Sequence, residues 1–305
     1  MNKNRYEPDD SKTAAARTDE PGADVLSVVI AHGMPHVFSK ETLAEAARVP
    51  DSVSDREMEA RTDFRDQAAI TIDGADAKDL DDAVFLDKTG DGWRLYVHIA
   101  DVSHYVRRGR AMDKEALARG TSAYLAGRVI PMLPQKLSNG ICSLNAGADR
   151  LAVSCVMDID RRGWVTSYDV MESVINVSRR VTYEEADSFL AGGGSGLLRD
   201  MEEVSELLRY NRVKRGAIEL SSSECVISLD GKGRPIDVVR VRPGPAAGMI
   251  EEFMVACNEA AARKLKKAGA ALIYRTHEPP ERDKVDRLFA AAGRMGLRIN
   301  HKGHK

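Results

Sequence analysis

Apolar and polar positions change period several times along this chain, and each change predicts an element. The stretch DDAVFLDKTGDGWRLYVHIADV alternates over two runs that meet at Gly90-Asp91-Gly92, which predicts a β-hairpin. RLAVSCVMDIDRRGWVTSYDVMESVINVSRRV repeats the pattern and turns at Arg161-Arg162-Gly163, a second hairpin. Residues 70–73 read as a short strand ahead of the first hairpin, and YRTHEPP, with Arg275 and His277, as the close of another. Elsewhere the apolar residues fall three and four apart. AMDKEALARG predicts a helix that stops at Gly120. LLRDMEEVSELLRYNRVKRG, GMIEEFMVACNEAAARKLKKAG and ERDKVDRLFAAAGRMGL predict longer helices. Two shorter helices, in DVLSVVIAHGMPHVF and SKETLAEAARV, come earlier, the second with Ser39 as its cap. Strands mainly first and helices mainly later is the α+β pattern, here with a mostly antiparallel sheet.

The chain has 305 residues, 43% of them hydrophobic, enough for one large domain or two. No apolar run approaches the roughly 18 residues of a membrane span, and the start of the chain has no signal-peptide core, so no membrane role is expected and the cytoplasm is the default. Residues 1–22 are polar and broken by Pro and Gly, and are read as a disordered leader, with linker helices over 23–60. Cys142, Cys155, Cys225 and Cys257 form no C-x-x-C pair, which argues against zinc and against a disulfide framework; all four are expected reduced and buried.

Charge is segregated. Residues 73–101 hold eight aspartates against three Lys and Arg, whereas residues 263–305 hold twelve Lys and Arg against four acids. An acidic spot beside a basic tract suits a metal-dependent enzyme acting on a polyanion, and it also suits two solvated surfaces. The acidic spot is dense: ITIDGADAKDLDDAV places five aspartates within ten residues between two predicted strands. Asp73 ends one strand, Asp79 and Asp81 lie on one side of an extended stretch, and Asp82 opens the next strand. A bend at Gly74 brings the four together. Converging carboxylates need a cation to stay ionised, and oxygen ligands favour Mg²⁺ or Mn²⁺ over zinc. An EF-hand loop does not fit, because the glycine it requires is absent after Asp79. On these residues alone, a metal site and an acidic loop both stand.

TIDGADAKDLDDAV, WRLYVHIADVSHYV, RGTSAYL, VIPMLPQKLSNGICSLN, RGAIEL, MIEEFMVACNEAAA and YRTHEPP follow one another in an order that resembles the catalytic domain of the bacterial ribonuclease II and ribonuclease R family. The resemblance runs from about residue 24 to the end, with the catalytic domain over 61–305. It implies a hydrolytic exoribonuclease that shortens single-stranded RNA from a free 3′ end to nucleoside 5′-monophosphates with Mg²⁺, Mn²⁺ being a possible substitute. Asp73, Asp79, Asp81 and Asp82 match the metal-binding and catalytic carboxylates, Asp81 foremost, with Asp76 a bystander. Tyr124 matches a tyrosine that stacks on a base, and a stacked base is sequence-tolerant because every base has a π face. Leu220, in RGAIEL, stands where the family has an aromatic, leaving one side of the expected base clamp aliphatic. Arg275 is a candidate phosphate contact.

His98, inside a strand, reads as a packed side chain, and Asp101 and Asn145, though similar to family residues near the centre, read equally as turn formers and caps. A later family motif, H-x-T-S-P-I-R-R-Y, is absent after HEPP. The chain is therefore expected to match an incomplete catalytic domain, weak or inactive alone, or completed by the missing C-terminal part on another chain. Two alternatives stay open: an RNA-binding remnant without turnover, and a Mg²⁺-dependent phosphohydrolase of small substrates, which the lack of a Gly-rich phosphate loop disfavours.

Overall fold

Period-two alternation in the two long hairpins gives each strand one face for helices and one for the opposite layer, and the computed structural model, which describes residues 22–219, 223–231 and 233–297, is built on that division. Helices α1 (Ala23–Ala31), α2 (Lys40–Ala47) and α3 (Asp55–Met58) precede β1 (Thr62–Asp63), β2 (Ile70–Asp73) and the hairpin of β3 (Asp82–Thr89) and β4 (Gly92–Ala100). Next come α4 (Val102–Tyr105), α5 (Ala111–Arg119), the ribbon of β5 (Ala123–Leu125) and β6 (Arg128–Ile130), and a wide helical turn at Lys136–Ile141. The second hairpin, β7 (Asp149–Asp160) and β8 (Val165–Asn176), leads into β9 (Arg179–Thr182), α6 (Tyr183–Ala191) and α7 (Leu197–Lys214). A ribbon of β10 (Glu224–Leu229) and β11 (Pro235–Val241) is followed by α8 (Pro245–Lys267) and α9 (Arg282–Arg294). The chain divides into two units, Met1–Lys264 and Leu265–Lys305.

In the first unit seven strands form one sheet in the order β1-β8-β7-β4-β3-β2-β9. Its interior pairs are antiparallel, and the two edge strands join in parallel, β1 to β8 and β9 to β2. The α+β class with a mostly antiparallel sheet is what the structure shows. Opposed residues Val84 and Val97, Leu86 and Leu95, and Met157 beside Leu95 carry one face into a core with Val204 and Leu208 of α7 and Met249, Ile250 and Phe253 of α8. Phe253 is fully buried, and hiding a side chain of that size contributes about 2–3 kcal/mol. Alternate residues of the same strands face the other way, where Ala83, Ala100, Ala152 and Ile175 pack with Leu144 and Val177.

The first hairpin turns in two residues, since Thr89 is paired with Gly92. Gly92 has φ of 155°, and a Cβ there would lie 2.1 Å from the Ile159 carbonyl oxygen, so only glycine fits beside β7. At the second turn Asp160 Oδ1 accepts from the amides of Arg162 and Trp164, both at 2.9 Å. Ser39 caps α2 as expected, its hydroxyl accepting from the Thr42 amide at 3.2 Å.

Three expectations need correction or lie elsewhere. YRTHEPP forms no strand; a strand needs a hydrogen-bonded neighbour, and among the described residues none pairs with it. Cys142, Cys155 and Cys257 are buried, but Cys225 is exposed, because β10 belongs to a two-stranded ribbon outside the main sheet. Residues 1–21 of the expected leader, and Leu220, fall outside the described residues. Among the described residues no helix is long and apolar enough to cross a membrane.

Candidate active site

The eight residues between β2 and β3 carry the acidic motif across the head of the sheet. Asp73 closes β2 level with Thr182 of β9, and Asp82 opens β3 level with Ile99 of β4. Leu80, 2% exposed, is the apolar anchor between the aspartates. Its carbonyl accepts from the Leu144 amide at 2.8 Å, and the Asp81 carbonyl accepts from the Ala100 amide at 2.9 Å, so the loop is sewn to the sheet on both sides.

Each aspartate feels the others. Burial, and then the charges of Asp73 and Asp81, push the Asp82 carboxyl up to about 6. Asp73 is raised by burial and by the charges of Asp79 and Asp76, against a hydrogen bond from the Gly74 amide and the opposing charge of Arg180. Asp81 exposes more of itself to solvent, yet the protein around its carboxylate raises it too, with help from Asp79 and Asp73. Asp73, Asp81 and Asp82 thus share one electrostatic neighbourhood, and the charge of Asp79 bears on Asp73 and Asp81. As placed, no three His, Cys, Asp or Glu side chains among the described residues stand close enough to hold an ion. The group is a repelling set and not a closed ligand shell.

Tyr124 reaches the same place from β5, donating its hydroxyl to Asp79 Oδ2 at 2.9 Å while 67% of the residue stays exposed. Burial of its hydroxyl end, then the bond to Asp79, pushes its pKa up to about 12, so it remains a donor at neutral pH. Tyr183, at the start of α6, is also pushed up to about 12, by burial and by the charges of Asp73 and Asp82. Arg275 belongs to the second unit, where it is exposed in a stretch without helix or strand.

Among the described hydrogen bonds, His98 meets none of the four aspartates. It is fully buried, bonds Ser154 Oγ through Nδ1 at 2.6 Å, and is held down to about 4 by burial. Asp101 is a cap and a buried ion-pair partner: it accepts from the His104 amide and meets Arg61 at 2.6 Å. Asn145 points its amide at the carbonyls of Asn139 and Ser143, both at 3.4 Å.

Two residues that the sequence did not single out grip the acidic loop. Arg180 of β9 donates from Nη2 to the carbonyls of Gly74, Ala75 and Ala77 at 3.0, 3.0 and 2.9 Å. Ser143 Oγ donates to the Lys78 carbonyl at 3.0 Å and accepts from the Leu80 amide at 3.1 Å.

A family model described as the RNB domain matches residues 61–304. The chain belongs to the RNB family. Among its RNB relatives, ribonuclease R of Thermotoga maritima is 44% identical over 300 residues, covering 94% of this chain and 42% of that one. Ribonuclease R 1 of Lactococcus lactis is 42% identical over 293 residues, covering 93% and 36%. The solved ribonuclease R of Mycoplasma genitalium in complex with ribose-methylated single-stranded RNA superposes with a TM-score of 0.88 at 30% identity, covering 94% of this chain and 46% of that one. The RNB chain described here therefore spans less than half the length of these relatives.

Proposed function

We propose that this chain carries the hydrolytic centre of a 3′-to-5′ exoribonuclease that shortens single-stranded RNA to nucleoside 5′-monophosphates. The observation that carries the reading is the set of four aspartates at the head of β2 and β3, three of them raised by burial and by one another's charge. Such a set suits a hard divalent cation: it offers oxygen donors only, and a cation removes the repulsion that opposes ionisation. Asp73, Asp79, Asp81 and Asp82 would hold Mg²⁺, with Mn²⁺ as substitute. When bound, the ion supplies positive charge to the scissile phosphate and acidifies a bound water.

The side chains do the rest. Asp81, the most exposed of the four, is assigned to orient the attacking water and accept its proton. Tyr124 fixes Asp79 through its hydroxyl and offers an exposed ring on which a terminal base can stack. The RNA complex of the Mycoplasma genitalium relative supports the substrate class.

A 5′-labelled single-stranded RNA tests the proposal. The account expects stepwise shortening from the 3′ end with Mg²⁺, 5′-monophosphate products, survival of the DNA counterpart, which lacks the 2′-hydroxyl, and loss of turnover in Asp81→Asn. Internal cuts in a 3′-blocked RNA, or equal degradation of DNA, contradict it.

A further inference from the structure

We infer that Arg180 and Ser143 are positioning residues that hold loop 74–81 in one shape, so that its carboxylates are arranged before any cation arrives. The inference rests on the reading of the four aspartates as a metal site.

Repelling carboxylates on a loop without helix or strand should drive it open. Within the loop itself the only main-chain hydrogen bond among those described is a turn from the Ala77 amide to the Gly74 carbonyl at 3.1 Å. Beyond the main-chain bonds of Leu80 and Asp81 to the amides of Leu144 and Ala100, the restraint comes from two side chains outside the loop, one acting ahead of Lys78 and one around Asp79. On the first side, Arg180 sits on the edge strand β9, level with Thr71 of β2, and sends one guanidinium nitrogen to three loop carbonyls. It donates to the main chain and, among the described hydrogen bonds, to no aspartate carboxylate. Its geometry is thus that of a clamp on the backbone and not of a counter-ion paired with one acid. Three carbonyl oxygens converging on one point repel unless a cationic donor stands between them, so removing the guanidinium undoes the turn.

On the second side, the Ser143 side chain is fully buried and bridges the residues either side of Asp79, taking the Leu80 amide and giving to the Lys78 carbonyl. Ser143 is fixed in turn: its carbonyl accepts from Arg150 Nε at 2.8 Å, and the next amide, Leu144, donates to Leu80. Both grips reach far along the chain, from β9 and from the segment after the wide helical turn. Each acts on the backbone that carries Asp79 and Asp81 without taking up any of their carboxylate oxygens, which stay available to a ligand apart from the Tyr124 bond. Residues that orient a metal's ligands without touching the metal commonly change its affinity 10–100-fold when lost.

The test uses the 305-residue chain as parent, Arg180→Met, Arg180→Lys and Ser143→Ala. Hydrogen–deuterium exchange without metal reads the loop, and the Mn²⁺ concentration that half-saturates the rise in melting temperature reads the site. In Arg180→Met and Ser143→Ala, peptides covering 74–81 should exchange at least about tenfold faster while those of β7 and β8 keep parental rates, and the Mn²⁺ midpoint should rise about tenfold. Arg180→Lys, which keeps a cationic donor at shorter reach, should fall between parent and Met on both measures. Unchanged exchange of 74–81 overturns the inference, and so does faster exchange with an unchanged Mn²⁺ midpoint. A parent chain that Mn²⁺ does not stabilise overturns the metal-site reading instead, and the exchange rates alone then decide whether the clamp exists.

Discussion

Asp82→Asn should stabilise the metal-free chain at neutral pH, an effect opposite to that of most substitutions at a half-buried polar position. Asp82 opens β3 against Ile99, and its carboxyl rises from 3.8 to about 6, first through burial and then through Asp73 and Asp81. That rise corresponds to about 3 kcal/mol of destabilisation once the group is ionised. Below pH 3.8 the carboxyl is neutral in both folded and unfolded chains and costs nothing. Between there and about pH 6 the unfolded chain ionises first, so stability falls as pH rises, and above about 6 the whole cost is present. Asparagine keeps the shape and removes the charge. Urea unfolding in EDTA across this range, for both proteins, gives the difference directly. The variant's advantage should grow from about 0.5 kcal/mol at pH 4 to about 3 kcal/mol at pH 7 and then level off. In a unit of this size that is a gain of about 6–12 °C in melting temperature at pH 7. Mn²⁺ should reverse the ranking, because the parent gains from the ion and the variant loses a ligand. A stability difference that stays flat with pH, or that falls as pH rises, refutes the charge argument.

Tyr124→Phe keeps the exposed ring and loses the bond to Asp79; turnover on single-stranded RNA should fall by up to about tenfold while the melting temperature barely moves, which steady-state kinetics and a thermal scan check together. Arg61→Met leaves Asp101 charged and buried without its partner at 2.6 Å, and chemical denaturation should show a loss of about 3–5 kcal/mol. Gly92→Ala drives a methyl to within 2.1 Å of the Ile159 carbonyl at a φ of 155°, and should cost at least about 2 kcal/mol by the same assay.

The main hairpins were legible because alternation and glycine-bearing turns are local signals: the turn at Gly90-Asp91 and the one before Trp164 fall where DKTGDGW and IDRRGW announce them. The long helices α7, α8 and α9 were legible from their apolar spacing. The parallel edge strands were not. β1 has two residues and β9 four, and a parallel partner is chosen by where the chain returns, not by the strand's own pattern. The ribbon of β5 and β6 is likewise too short to show a period, whereas ECVISL and PIDVVRV around a glycine-bearing turn do carry a strand signal. Within the site, the aspartates and Tyr124 stood in motifs, but the roles of Arg180 and Ser143 depend on contacts spanning 106 and 63 residues, which no local pattern encodes. YRTHEPP shows the opposite failure: Tyr274 and Thr276 suit a strand, but the stretch ends in two prolines and has no neighbour to pair with among the described residues.

Direct titration of Mn²⁺ into the chain, followed by the paramagnetic resonance signal of the free ion, tests the central claim that the four aspartates form a divalent-cation site. The account predicts saturable binding by the parent at neutral pH, weakening as the pH falls through about 6, where Asp82 takes up its proton, and binding at least about tenfold weaker in Asp81→Asn. Equal binding by parent and Asp81→Asn, or no saturable binding by the parent, contradicts it.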